Sequence, residues 1–186
     1  MTVKFNSYSM WVVKKDDDDL YDWCVFVDEN PNVINSIKSV EYILHATFPD
    51  PIKLIESKYN KFALFSGGWG AFTIRIRVNY ENGSSSTTSY YLRLERDNWP
   101  RKQAPDTFPD NATRLVYQAL LQKKFRWRRF DTVARTSNLS GDIVLSVLYD
   151  LENKDLVRKS PFPSIDGREM WGATAVVGIS PKTSLA

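Results

Sequence analysis

Apolar residues in the first half of the chain fall in short runs broken by polar turns. Thr73-Ile74-Arg75-Ile76-Arg77-Val78 alternates strictly, with Ile74, Ile76 and Val78 on one face and Thr73, Arg75 and Arg77 on the other. Period two of this kind predicts a strand buried on one side. Met10-Trp11-Val12-Val13, Tyr21 to Val27, Ile37 to Leu44, Phe62 to Phe65 and Tyr90 to Leu94 read as further strands, rich in β-branched and aromatic residues. Asp16 to Asp19 interrupt the first pair, and four adjacent carboxylates repel one another into a solvated loop. Glu81 to Ser86 contains Asn82-Gly83, a hairpin signal. Several short strands separated by turns predict an all-β immunoglobulin-like sandwich over residues 1–95.

The period changes in the second half. Ala112 to Lys124 carries Leu115 with Ala119, and Val116 with Leu120 and Leu121, an i, i+4 stripe on a helix capped near Asn111. Phe130 to Arg135 fits a second helix with Val133 and Ala134 inward. Ser140 is a candidate cap for a third helix that buries Ile143, Val147, Leu148 and Leu151. Leu156 to Lys159 and Glu169 to Thr174 follow as two strands around a Pro-rich loop. Three helices and a hairpin predict a small α+β domain over residues 110–178, similar to a winged helix-turn-helix. Between the halves, residues 96–109 hold Pro100, Pro105 and Pro109 and no glycine, a semi-rigid linker. Trp99 and Phe108 suit a partly packed linker better than a solvated one. Residues 179–186 form a tail.

Charge separates the halves as clearly as period does. Residues 1–95 hold ten Lys/Arg against twelve Asp/Glu, and residues 96–186 hold fifteen against ten. With one cysteine, Cys24, and one histidine, His45, the chain has no intramolecular disulfide and no Cys/His zinc site. Neither a basic, then apolar leader nor a membrane-length apolar run is present, so a cytoplasmic location without membrane insertion is expected.

Two segments do not fit a purely structural reading. His45-Ala46-Thr47-Phe48-Pro49 and Gly67-Gly68-Trp69-Gly70-Ala71-Phe72 each put a large aromatic into a turn. Such rings are costly to leave in water. On spacing alone Phe48 and Trp69 would be sandwich core, but glycines on both sides of Trp69 permit close approach of another molecule to the backbone. With the Thr47 hydroxyl beside Phe48, two such loops at one end of a sandwich would make a flat slot suited to a planar amide. A cation cage is the alternative, but neither loop supplies a carboxylate.

These loops, with Tyr21 to Val27, Val40 to Pro51, Phe62-Ala63-Leu64 and Ser66 to Ile76, resemble a YEATS domain of the prokaryotic branch, over roughly residues 8–95. The resemblance implies a non-catalytic reader of acylated lysine, of acetyl or crotonyl type. Phe48 and Trp69 would flank the acyl amide and Thr47 would donate its hydroxyl to it. The Trp69 backbone N–H would meet the acyl oxygen, and His45 would line the floor or orient the loop. Gly68, Gly70 and Ala71 complete the implied site. Ala46, Thr47 and Ala71 depart from common eukaryotic wording and leave the acyl preference open. Stacking of about 0.5–1.5 kcal/mol per face and about 1 kcal/mol per hydrogen bond lead to micromolar binding.

Three other readings stand beside it. One is a reader of another modified group, a lipid headgroup or small metabolite, in a signalling or defence system. Another is a ligand-sensing DNA-binding regulator. The third helix argues against it, because Ser140, Asp142, Ser146, Asp150 and Glu152 stand where a groove-reading helix carries cations. Weak, sequence-independent nucleic-acid contact would fall instead to Lys123, Lys124, Arg126, Arg128 and Arg129. The last reading is an enzyme. A lone His45 with no nucleophile, phosphate-loop or metal-ligand motif beside it gives this little support, no metal or cofactor is implied, and Cys24 reads as a buried small hydrophobe.

Overall fold

The computed structural model describes residues 2–122 and 124–183. The chain divides into two compact units, Met1–Trp99 with Pro181–Ala186, and Pro100–Ser180.

The first unit runs β1 (Phe5–Lys15), β2 (Asp18–Val27), α1 (Pro31–Ser36), β3 (Ile37–Ile43), β4 (Ile52–Ile55), β5 (Leu64–Gly68), β6 (Phe72–Tyr80) and β7 (Ser85–Leu92). Three strands pair in the order β1-β2-β5 and four in the order β4-β3-β6-β7, and every pairing is antiparallel. The core lies between the sheets, where Trp23, Val25 and Val27 of β2 meet Val40 and Tyr42 of β3 and Ile74, Ile76 and Val78 of β6. The alternation read in β6 is therefore an inside–outside alternation, as a sheet with one solvated face requires.

The near-continuous apolar run of β2 has a different cause. Its odd residues face the core, while Cys24 and Phe26 on the other face pack with Met10, Ala63 and Trp99. Trp99 reaches that face because Asp97 bridges to Met10 and the Trp11 N–H donates to the Arg96 carbonyl at 2.8 Å. Ser9 and Asn98 close the same contact.

Several expectations are corrected here. The loop expected at Asp16 to Asp19 shrinks to a two-residue turn, because Asp18 and Asp19 pair with Lys15 and Lys14 across the hairpin. Opposite charges facing across strands offset the repulsion along the chain. β4 and α1 escaped the sequence reading, although Asn30 caps α1 and Pro31 occupies its first turn.

The second unit contains α2 (Asn111–Leu120), β8 (Arg128–Arg129), α3 (Phe130–Ser137), α4 (Gly141–Asn153), β9 (Val157–Lys159), β10 (Met170–Ala173) and the short α5 (Thr174–Val177). The strands order as β8-β10-β9. Val116, Leu120, Val133, Leu148, Leu151 and Trp171 are among its buried core, and Ala104 and Phe108 pack against that core.

α2 is shorter than expected. It ends at Leu120 and leaves Leu121 exposed, and its cap is Asp110, whose side chain accepts from the Thr113 N–H. In α4 Val144 takes the buried place expected for Ile143, which is exposed, because the helix begins at Gly141 and its inward face is Val144, Val147, Leu148 and Leu151.

Candidate functional site

Two loops of the first unit enclose a cavity of about 520 Å³, lined by His45, Thr47, Phe48 and Pro49 on one side and by Gly67, Gly68, Trp69, Gly70, Ala71 and Phe72 on the other. The first loop joins β3 to β4 and is closed at its base by the Leu44 N–H bonding to the Pro51 carbonyl at 2.8 Å. Within it the Phe48 N–H donates to the His45 carbonyl at 3.0 Å, a tight turn that turns the Phe48 ring back toward the sandwich. That ring is half-buried, 5.4 Å from Phe72 and 6.3 Å edge-on to Trp23. Phe48 is thus a wall fixed to the core.

The second loop joins β5 to β6. Gly70 has φ +74, where a β-carbon would be strained. A β-carbon on Gly68 would meet Phe48 Cζ at 3.6 Å, so Gly68 packs directly beside that ring. Trp69 is 63% exposed. One aromatic wall is therefore anchored and the other stands free in water, the less stable arrangement unless something covers the indole.

His45 and Thr47 form the polar rim. The Thr47 N–H approaches His45 Nδ1 at 3.3 Å and the Thr47 hydroxyl lies 3.0 Å from the same nitrogen. Nδ1 accepts the backbone bond, and the direction of its contact with the hydroxyl follows the tautomer of the ring.

All seven residues expected at the slot, His45, Thr47, Phe48, Gly68, Trp69, Gly70 and Ala71, line the one cavity. Sequence reasoning missed Phe72 as part of the site. Its place in register with Ile74 and Ile76 marks it as inward, and the end of β6 turns that inward position into the slot's back wall. Trp23, 1% exposed beneath Phe48, was read only as a strand residue.

The basic cluster of the second unit is less available than its composition suggests. Lys123 lies outside the described residues. Lys124 and Arg128 stand over the Phe125 ring at 5.5 and 5.3 Å, and Arg128 also donates to Gln122. Arg126 is half-buried. Arg129 is paired with Asp166 at 2.9 Å, and Arg168 bonds Asp131 and Asp166, so two arginines and two aspartates balance one another. Ser164 donates to Asp166, and that bond with the neighbouring Arg129 holds the carboxyl below its ordinary range. On α4, Asp142, Ser146 and Asp150 are exposed and Glu152 is half-buried. Among the described residues no group of three or more His, Cys, Asp or Glu could hold a metal ion, and no helix is long and apolar enough to cross a membrane.

Comparison with known proteins bears on the first unit. The AF-9 homolog of Saccharomyces cerevisiae is 36% identical over 75 residues, covering 39% of this chain and 32% of that protein. The AF-9 homolog of Eremothecium gossypii is 21% identical over 146 residues, 74% of this chain and 69% of that protein. The chain thus spans about a third of the first relative's length. Among solved structures, the crystal structure of the yeast AF-9 homolog Yaf9 is 28% identical, covering 49% of this chain and 65% of that one, with a TM-score of 0.41. The Yaf9 YEATS domain bound to H3K27ac is 27% identical, covering 51% and 78%, with a TM-score of 0.39. The family model described as the prokaryotic YEATS domain matches residues 21–93, so this stretch of the first unit is similar to that family.

Proposed function

We propose that the first unit is a non-catalytic reader that binds acylated lysine, of acetyl or crotonyl type, in the slot between Phe48 and Trp69. One observation carries the reading: an anchored ring and a freely exposed ring face one cavity with the Thr47 hydroxyl, 3.0 Å from His45 Nδ1, at its rim. An acyl amide is flat and uncharged, so it can stack on both rings at once. The Thr47 hydroxyl donates to the amide and the Trp69 backbone N–H meets its carbonyl. His45 lines the floor or orients the loop that carries Thr47. Gly68 and Gly70 leave the loop backbone bare for that approach, and Ala71 lines the mouth. The solved Yaf9 structures whose names include H3K27ac and H3K122suc peptides support an acylated-lysine peptide as the ligand class.

The second unit serves in this proposal as a winged-helix-like module coupled to the reader. Any weak, salt-sensitive contact with nucleic acid would fall to Lys123, Lys124, Arg126, Arg128 and Arg129. Calorimetry of the full chain with acetyl-lysine, crotonyl-lysine and unmodified peptides of one sequence tests the reader. Micromolar binding of the acylated forms alone is expected, and equal affinity for acylated and unmodified lysine refutes it.

A further inference from the structure

We infer that the free edge of β4 is a strand-addition site for the peptide that carries the acylated lysine, so that the backbone of the ligand pairs with Ile52 and Leu54 while its modified side chain enters the slot. The inference rests on the acyl-lysine reading of that slot and adds to it how the flanking chain is held.

β4 is the outermost strand of the four-stranded sheet. Ile43 lies opposite Ile52, and the Leu44 N–H donates to the Pro51 carbonyl. Leu44 and Pro51 are therefore a hydrogen-bonded pair, and alternation along an antiparallel ladder makes Lys53 and Ile55 the next residues bonded to β3. The N–H and C=O groups of Ile52 and Leu54 then point away from the sheet. Among the described residues no backbone bond from elsewhere meets them. Unpaired groups on an edge strand are a template for another strand.

The side chains agree with the backbone. Ile52 is 59% and Leu54 56% exposed, on the outer face beside Ile43. An added strand would thus carry an aliphatic residue against Ile52 and Leu54. A second copy of β4 fits less well, since pairing β4 with itself would bring two Lys53 side chains together. β4 also starts four residues after Phe48, from the closed base of the loop that forms the slot wall. The edge leads directly out of the slot.

The test uses the full chain and two ligands, crotonyl-lysine capped as a single residue and an extended peptide of about a dozen residues with isoleucine at alternate positions. The peptide is expected to bind about tenfold more tightly, the net of two or three added hydrogen bonds and one apolar contact after the cost of ordering the peptide. Leu54→Pro removes an outward N–H without touching the ladder to β3, so it should erase that advantage and leave the capped residue unaffected. N-methylation of alternate peptide amides on one register, with the wild-type chain, should do the same without any change to the fold. Equal affinity of peptide and capped residue, or indifference to N-methylation, overturns the edge site while the slot stands. Failure of both acylated ligands to bind overturns the slot reading and this inference with it. A dimer in sedimentation that Leu54→Pro converts to monomer assigns the edge to a second copy and also overturns it.

Discussion

Trp69→Ala is the sharpest perturbation of the slot, because the indole belongs to none of the core clusters. A tryptophan offers roughly 150–250 Å² for burial, and with 63% of Trp69 exposed, roughly 150 Å² of indole is left in water. An acyl amide and its short chain would cover about a third of that, roughly 50 Å², contributing about 1.2 kcal/mol at about 25 cal/mol/Å². Stacking adds about 0.5–1.5 kcal/mol. The sum, about 2–3 kcal/mol, corresponds to a loss of about 30- to 150-fold in affinity for a crotonyl-lysine peptide. The assay is calorimetry on the full chain, paired with thermal melting. Since no core cavity opens, the midpoint should move by no more than about 3 °C. Trp69→Phe should recover part of the affinity through its smaller face. A loss below about threefold would refute the reasoning, since the exposed ring would then have no ligand on it.

Phe48→Ala should differ from Trp69→Ala in kind. This ring packs on Trp23 and Phe72, so its removal should lower stability by about 2 kcal/mol as well as binding, read as a shifted denaturation midpoint beside lost calorimetric heat. Thr47→Val keeps shape and removes the oxygen; affinity should fall by about 1 kcal/mol, and Thr47→Ser should retain it. Unchanged affinity in the valine variant would mean the hydroxyl does not meet the ligand. Asp110 is held below the ordinary carboxylate range by the Thr113 N–H and hydroxyl bonds. A lowered folded value contributes stability that is full above the unfolded pKa and lost as pH falls through the folded one. Asp110→Ala should therefore melt earlier than wild type near neutral pH and converge with it in strong acid, with the divergence read from melting curves across pH.

How legible was this molecule? β6, with its strict alternation, stands where the residues put it, because burial of one face fixes side-chain direction along a strand, and the apolar runs read at β2 and β3 are strands as well. β4 was not readable: Ile52-Lys53-Leu54-Ile55 alternates too briefly to signal, and its partner lies across a loop. The Asp16 to Asp19 stretch misled because charge repulsion is local while Lys14 and Lys15 arrive from across the hairpin. Trp69 in the cavity wall was legible for a physical reason, since an aromatic between glycines in a turn has no core to enter, whereas Phe48 turns back onto Trp23 and Phe72. Phe72 was not, because an inward strand residue becomes a wall only at the end of its strand. In α4 a shift of one position, Ile143 to Val144, is what helix periodicity leaves undetermined until the start of the helix is known.

His45 is the sole histidine in the sequence, and its ring nitrogen is already engaged by Thr47 at the rim of the slot. A nuclear magnetic resonance spectrum of the imidazole region therefore contains one residue, and it needs no assignment. Any molecule that displaces or reorients the Thr47 hydroxyl must alter the Nδ1 environment, whatever the acyl group and whether or not heat is released. The protein thus carries its own single-site indicator, which allows unlabelled mixtures to be screened for the natural ligand by watching one imidazole.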